Sequence, residues 1–150
     1  MARFTVTRQI AAPPETVWHL LSDITTWRDW TPFTSSERTK EGAGYPDGVG
    51  SLRRLTTPVL TTVEEIVVSE PPHRLVYEMR SGLPLRNYRG EVLVEPYNDD
   101  STCLTYTVSF GARVPGAAAA LAPGAKLALE HLVARLAKAA ARAAKAPATA

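Results

Sequence analysis

Five side chains in the middle of this 150-residue sequence have the chemistry to hold a polar group of a small molecule: Arg53, Glu65, Tyr77, Tyr88 and Tyr106. A guanidinium donates through a fixed fork that matches carboxylate and carbonyl oxygens, and a phenol both donates and accepts. A carboxylate balances the guanidinium's charge. Buried, each of these groups demands a partner, because desolvating an unpaired charge costs several kcal/mol and a buried phenol needs a hydrogen bond. Arg53 must therefore meet Glu65 on the adjacent strand, water, or an anionic ligand group. The predicted inward surface offers no histidine and only one carboxylate, so no residue is assigned a catalytic role.

Strands position these residues. Ser51–Thr57, Thr61–Ser69, Arg74–Ser81, Arg86–Glu95 and Thr102–Ala112 are rich in β-branched and aromatic residues and are bounded by Pro, Gly and Asp clusters. Ser35–Lys40 is a weaker, polar strand, and Arg3–Ile10 alternates with Phe4, Val6 and Ile10 on one face. Side chains two apart share a face. Arg53 thus falls with Leu55, Tyr77 with Leu75 and Met79, Tyr88 with Gly90, Val92 and Val94, and Tyr106 with Leu104, Val108 and Phe110. The predicted inner wall is aliphatic and aromatic, with three phenols and one guanidinium. Leu55, Leu75, Val92 and Val108 fit an ordinary packed core equally well; the tyrosines are what argue for a wet or ligand-bearing interior.

Helices close the two ends of the pattern. Pro14 and Glu15 suit a first helical turn, and Val17, Trp18, Leu20, Leu21 and Ile24 follow at helical spacing. Trp27 and Trp30 then plug the open end of the sheet, with Trp30 at the border of a cavity. Pro123-Gly124 interrupts an alanine-rich tract, and a long helix is expected from about Ala125 to Lys145. Its apolar stripe includes Leu129, Leu132, Val133 and Leu136, with Arg135, Lys138, Arg142 and Lys145 opposite. The inward residues Leu132 and Leu136 complete the candidate binding set.

Composition narrows the alternatives. A 45% hydrophobic and 21% charged chain is that of a soluble globular protein, and no apolar run approaches a membrane span, so no stable membrane insertion is expected. The N-terminus lacks a secretory pattern. Cys103 is the sole cysteine, and a reducing cytoplasm is the simplest compartment. His19, His73 and His131 lack metal-ligand spacing, so neither a metal nor a cofactor is expected. Gly42, Gly44, Gly48 and Gly50 are followed by a strand, which suits a hairpin turn and not a phosphate loop. Residues 1–100 hold 11 basic and 14 acidic side chains, against 6 and one in residues 101–150. Without interleaved aromatics, that cationic helix face reads as solvated, and no nucleic-acid partner is expected.

Four segments carry a family resemblance: Ile10-Ala-Ala-Pro-Pro-Glu-Thr-Val-Trp18, Trp27-Arg-Asp-Trp-Thr-Pro32, Gly48-Val-Gly-Ser-Leu-Arg-Arg-Leu55 and Glu70-Pro-Pro-His-Arg-Leu75. In register, they resemble the SRPBCC superfamily of START-related lipid carriers, polyketide cyclases and the birch pollen allergen. The bacterial polyketide cyclase/dehydrase-like branch is the most similar. The resemblance implies an α+β helix-grip fold over residues 1–145, with a frayed tail at 146–150. A curved seven-stranded antiparallel sheet would wrap a long C-terminal helix, with two short helices after the first strand. It also implies a cavity between sheet and helix for a small apolar or aromatic molecule, lipid- or polyketide-like. A carrier or sensor role is favoured, since the inner wall offers no histidine and one carboxylate. The alternative is an aromatase/cyclase-like enzyme in which Arg53 and the tyrosines polarise a carbonyl. A third reading gives the cationic helix a partner.

Overall fold

The computed structural model describes residues 1–146. Strand β1 (Ala2–Ile10) is followed by helix α1 (Pro14–Ser22), a 3-10 turn (Ile24–Thr26) and the one-turn helix α2 (Trp27–Trp30). Strands β2 (Ser35–Lys40), β3 (Leu52–Thr56), β4 (Thr61–Glu70), β5 (Arg74–Ser81), β6 (Leu85–Asn98) and β7 (Ser101–Ala112) follow, and helix α3 (Ala117–Lys145) ends the chain. The seven strands form one antiparallel sheet in the order β1-β7-β6-β5-β4-β3-β2. Every neighbour except β1–β7 is a hairpin, the arrangement that short connections favour. This is the expected helix-grip architecture.

The first turn of α1 places Pro14 where a missing N–H costs nothing and Glu15 where the helix dipole is positive. The helix stops at Asp23, whose carboxylate accepts from the Thr25 amide (3.0 Å) and hydroxyl (2.7 Å) and so starts the 3-10 turn. Val17, Trp18 and Leu21 of α1 are buried, as are Leu129, Val133, Leu136, Ala137 and Ala140 of α3. These two stripes meet Leu55, Ile66, Leu75, Val92, Leu104, Val108 and Phe110 of the sheet in one core. Burying each large aliphatic or aromatic side chain contributes roughly 1.5–3 kcal/mol. α3 lies nearest β1 and α1.

Two element boundaries differ from expectation. Helix α3 begins at Ala117 and continues through Pro123. The proline leaves the Ala119 carbonyl without its helical donor, but Ala119 is exposed and water can serve it. Alanine-rich flanks keep the helix intact around this defect. Strand β6 likewise passes Glu95 to end at Asn98; Pro96 lies next to a register shift between Pro96 and Asn98, where no ladder donor is required. The glycine-rich stretch after β2 is a hairpin loop. Gly42 is required there, since a Cβ would lie 2.4 Å from the Gly48 carbonyl oxygen. Most of the expected frayed tail, from residue 147, lies outside the described residues.

Candidate functional site: a buried polar cluster on the concave sheet

Arg53 is 1% exposed and its side chain runs under α1. Its Nη1 donates to the Leu21 carbonyl (3.3 Å), and its Nη2 donates to the Ser22 carbonyl. Its Cζ stands 5.3 Å from the centre of the Trp27 ring, whose Nε1 donates to the same Leu21 carbonyl (3.2 Å). A cation at a helix C-terminus complements the dipole, and the ring face adds a cation–π contact. The guanidinium's Nε has no hydrogen-bond acceptor among the described residues.

The inward carboxylate is Glu64, and this corrects the expectation for Glu65. Glu65 faces the outer surface, where Arg80 Nε donates to it at 3.1 Å and Glu78 is its register partner. Glu64 pairs in register with Arg53 on one side and Met79 on the other, and is 7% exposed. The sequence permits either assignment, because Val63, Ile66, Val67 and Val68 put apolar residues on both faces of β4. Register with Arg53 is what decides it. Glu64 makes no hydrogen bond or ion pair among the described residues, and Arg53 acts on it only through space. Burial pushes its carboxyl up to about 7, against the opposing pull of Arg53.

Tyr77 and Tyr106 come from strands that are not neighbours. Gly90 of β6 lies between them, in register with Tyr77. The Tyr77 ring leans across the bare glycine Cα to bring its hydroxyl 2.6 Å from that of Tyr106. A Cβ at Gly90 would fall 2.2 Å from Tyr77 Cζ. Gly90 is therefore the seat of Tyr77 and not open cavity wall. Two phenols sharing one hydrogen bond leave one hydroxyl proton without an acceptor among the described residues. Burial, with the neighbouring phenols and Glu64, holds both hydroxyls well above the ordinary phenol range, so both are neutral.

Tyr88 enters the cluster through a bulge. Asn87 takes a left-handed conformation (φ 52°) within a register shift between Arg86 and Arg89, and the Tyr88 ring stacks on Phe110 at 5.6 Å. Burial and then Glu64 raise the Tyr88 hydroxyl as well. Leu55, Val92 and Phe110 are buried around the cluster, and Leu136 of α3 belongs to the same core. Met79, Tyr88 and Leu132 keep partial exposure. Trp30 is buried and lines a surface groove of about 390 Å³ between α2 and α3, together with Asp29, His131, Arg135, Lys138 and Arg142. Arg135 departs from the expected solvated face: its Nε donates to the Trp30 carbonyl (2.6 Å), tying α3 to the end of α2. No cluster of His, Cys, Asp and Glu that could hold a metal occurs among the described residues, and no described helix is long and apolar enough to cross a membrane.

A seven-stranded antiparallel sheet gripping a long C-terminal helix, with a buried polar cluster on its inner face, defines the helix-grip class of fold. The family described as polyketide cyclase/dehydrase and lipid transport matches residues 1–146, and the chain belongs to it. No curated protein sequence matches. Among solved structures, a START superfamily protein from Mycobacterium smegmatis is similar with a TM-score of 0.81 at 16% identity, over 94% of this chain and 98% of that one. A Thermobifida fusca protein is 28% identical, over 92% and 95% of the two chains, with a TM-score of 0.72. Norcoclaurine synthase from Thalictrum flavum, solved with dopamine and hydroxybenzaldehyde, has a TM-score of 0.72 at 17% identity, over 91% and 84%. The likeness to the Mycobacterium and Thalictrum proteins is one of fold.

Proposed function

We propose that residues 1–145 act as one unit that binds a small apolar or aromatic molecule, lipid- or polyketide-like, between the sheet and α3, as a carrier or sensor in the cytoplasm. One observation carries this reading. Arg53 Nε has no acceptor among the described residues, Glu64 makes no hydrogen bond there and one tyrosine proton is spare, all on one largely apolar face. The buried Ser36 and Ser51 hydroxyls of the neighbouring β2 and β3 region also lack partners there. Native interiors satisfy nearly all their buried polar atoms, and a concentration of unsatisfied ones in one place marks a site built for something else. The apolar wall of Leu55, Met79, Val92, Phe110, Leu132 and Leu136 would hold the ligand's body, and the polar cluster would hold its one polar end. Trp30 would border the entrance.

A cyclase-like activity is the second reading, and Glu64 is the observation in its favour. A carboxyl whose pKa is near 7 is suited to proton transfer at physiological pH, and Tyr77, Tyr88, Tyr106 and Arg53 could polarise a carbonyl. Native mass spectrometry of the protein purified from its own host tests both. Retention of one unmodified small molecule per chain supports the carrier. A bound molecule that the purified protein converts to a new product supports the enzyme, and a chain that is empty under all conditions of isolation counts against both.

A further inference from the structure

Arg53 and Glu64 face each other across the β3–β4 ladder, and both are buried. The other buried acid among the described residues, Asp47, acts on Arg53 through space, but its own charge is already paired with Arg38 (2.8 Å). In so weakly polar a setting one cation is best matched by one anion. Glu64 can supply that charge by ionising, without a single hydrogen bond to support it. The anionic head of a ligand can supply it instead, and Glu64 then stays neutral and becomes a donor.

We propose that the Arg53–Glu64–Tyr77–Tyr106 cluster binds an apolar acid through its carboxylate or equivalent oxyanion, and that Glu64 takes up one proton as the acid enters. This rests on the interior-binding reading above. Three donors are then available to the oxyanion: Arg53 Nε–H, the spare phenol proton and the Glu64 carboxyl proton. Neutral acids and phenols gathered in one buried cluster can stabilise a negative charge where water is excluded. The groups acting on Glu64 or sharing its cluster are Arg53 from β3, Tyr77 from β5, Tyr88 from β6 and Tyr106 from β7. The buried residues of α1 and α3 are all apolar, so the helices add no competing charge. Within this cluster only Glu64 changes charge between pH 5 and 9. The proton balance is simple: the ligand enters as the anion, solvent gives one proton to ionised Glu64, and the site's net charge is unchanged.

The test uses two fluorescent probes that differ by one sulfonate, 8-anilinonaphthalene-1-sulfonate and the neutral N-phenyl-1-naphthylamine. The sulfonate stays ionised throughout, so its pH dependence reports the protein. Its affinity for the wild-type chain should fall about tenfold between pH 6 and pH 8, while the neutral probe's stays level. In Glu64→Gln the sulfonate's affinity should be level too. His131 lines the surface groove, so His131→Gln must keep the wild-type fall if the probe binds in the interior and not in the groove. Calorimetry of the unmodified protein in two buffers of different ionisation enthalpy should show uptake of about one proton at pH 8, which needs no variant to fold. A fall that survives in Glu64→Gln or vanishes in His131→Gln overturns the proposal, as does sulfonate binding without proton uptake. Failure of both probes to bind overturns the interior-binding reading, and this inference with it.

Discussion

At the scale of single residues, Glu64 makes stability depend on pH. Its carboxyl titrates near 4.5 in an unfolded chain and at about 7 in the folded protein. Between those values the folded state holds the extra proton, so the stabilisation is complete below about 4.5 and is lost as pH rises through 7. The loss amounts to roughly 3 kcal/mol. Urea midpoints of the wild type should therefore fall between pH 5 and pH 8, and those of Glu64→Gln should not, apart from the slope both share. Arg53 behaves differently, because its partners are two carbonyls at the end of α1. Arg53→Met should destabilise by about 3–5 kcal/mol, the penalty of breaking a buried charged group's contacts. Adding Glu64→Met should restore part of that and Glu65→Met none, since Glu65 is occupied with Arg80 on the outer face.

Elements decide what those residues can reach. The Tyr77–Tyr106 bond spans a strand that belongs to neither, and it exists because β6 carries no side chain at Gly90. Gly90→Ala should displace the Tyr77 ring, break that bond and cost about 1–3 kcal/mol, through overpacking and the lost hydrogen bond together. A tyrosine fluorescence or ring-proton NMR shift at Tyr106, with the sheet still intact, would check it. A larger residue at Gly90 is a poor plug for the interior, because it must first move Tyr77. In α3, Pro123→Ala should return a helical donor to the Ala119 carbonyl and raise stability by up to about 3 kcal/mol, read from the thermal midpoint. An unchanged midpoint would mean that the helix N-terminal to Pro123 contributes little.

For the molecule as a whole, the grip depends on how α3 is fastened across the open end of the sheet. Its stripe from Leu129 to Ala140 packs into the core, and Arg135 reaches past it to the Trp30 carbonyl. Trp27 stacks with Phe33 at 6.1 Å and covers Arg53, so the segment that Arg135 holds is also the roof of the polar cluster. Arg135→Ala should lower the melting temperature by about 2–4 °C per kcal/mol lost, with a loss of about 1–2 kcal/mol. Amide exchange should quicken first in Trp27–Thr31. Uniform acceleration across the sheet would show instead that Arg135 acts on global stability alone.

The fold was legible in the sequence because the sheet's periodicity is local: Leu104, Tyr106, Val108 and Phe110 of β7 are buried and alternate with less buried neighbours. Val92 and Val94 of β6 do the same, although in β5 Val76 is buried along with Leu75 and Tyr77. Arg53 and the tyrosines were legible for the same reason. Three features were not. Glu64 takes the inner face because of its pairing with Arg53 across β3 and β4, and β4 is apolar on both sides, so its own alternation does not choose. Arg53's carbonyl partners lie 31 and 32 residues away, at the end of a helix whose approach to β3 is set by packing. Gly90's role is a matter of what lies above it, a ring from the neighbouring strand. Sequence by itself determined most of the alternation, the order of helices and strands though not the start of α3, and that a guanidinium and three phenols point inward. Only the tertiary structure decided their partners, because a hydrogen bond or a buried charge depends on distances between segments that local pattern does not encode.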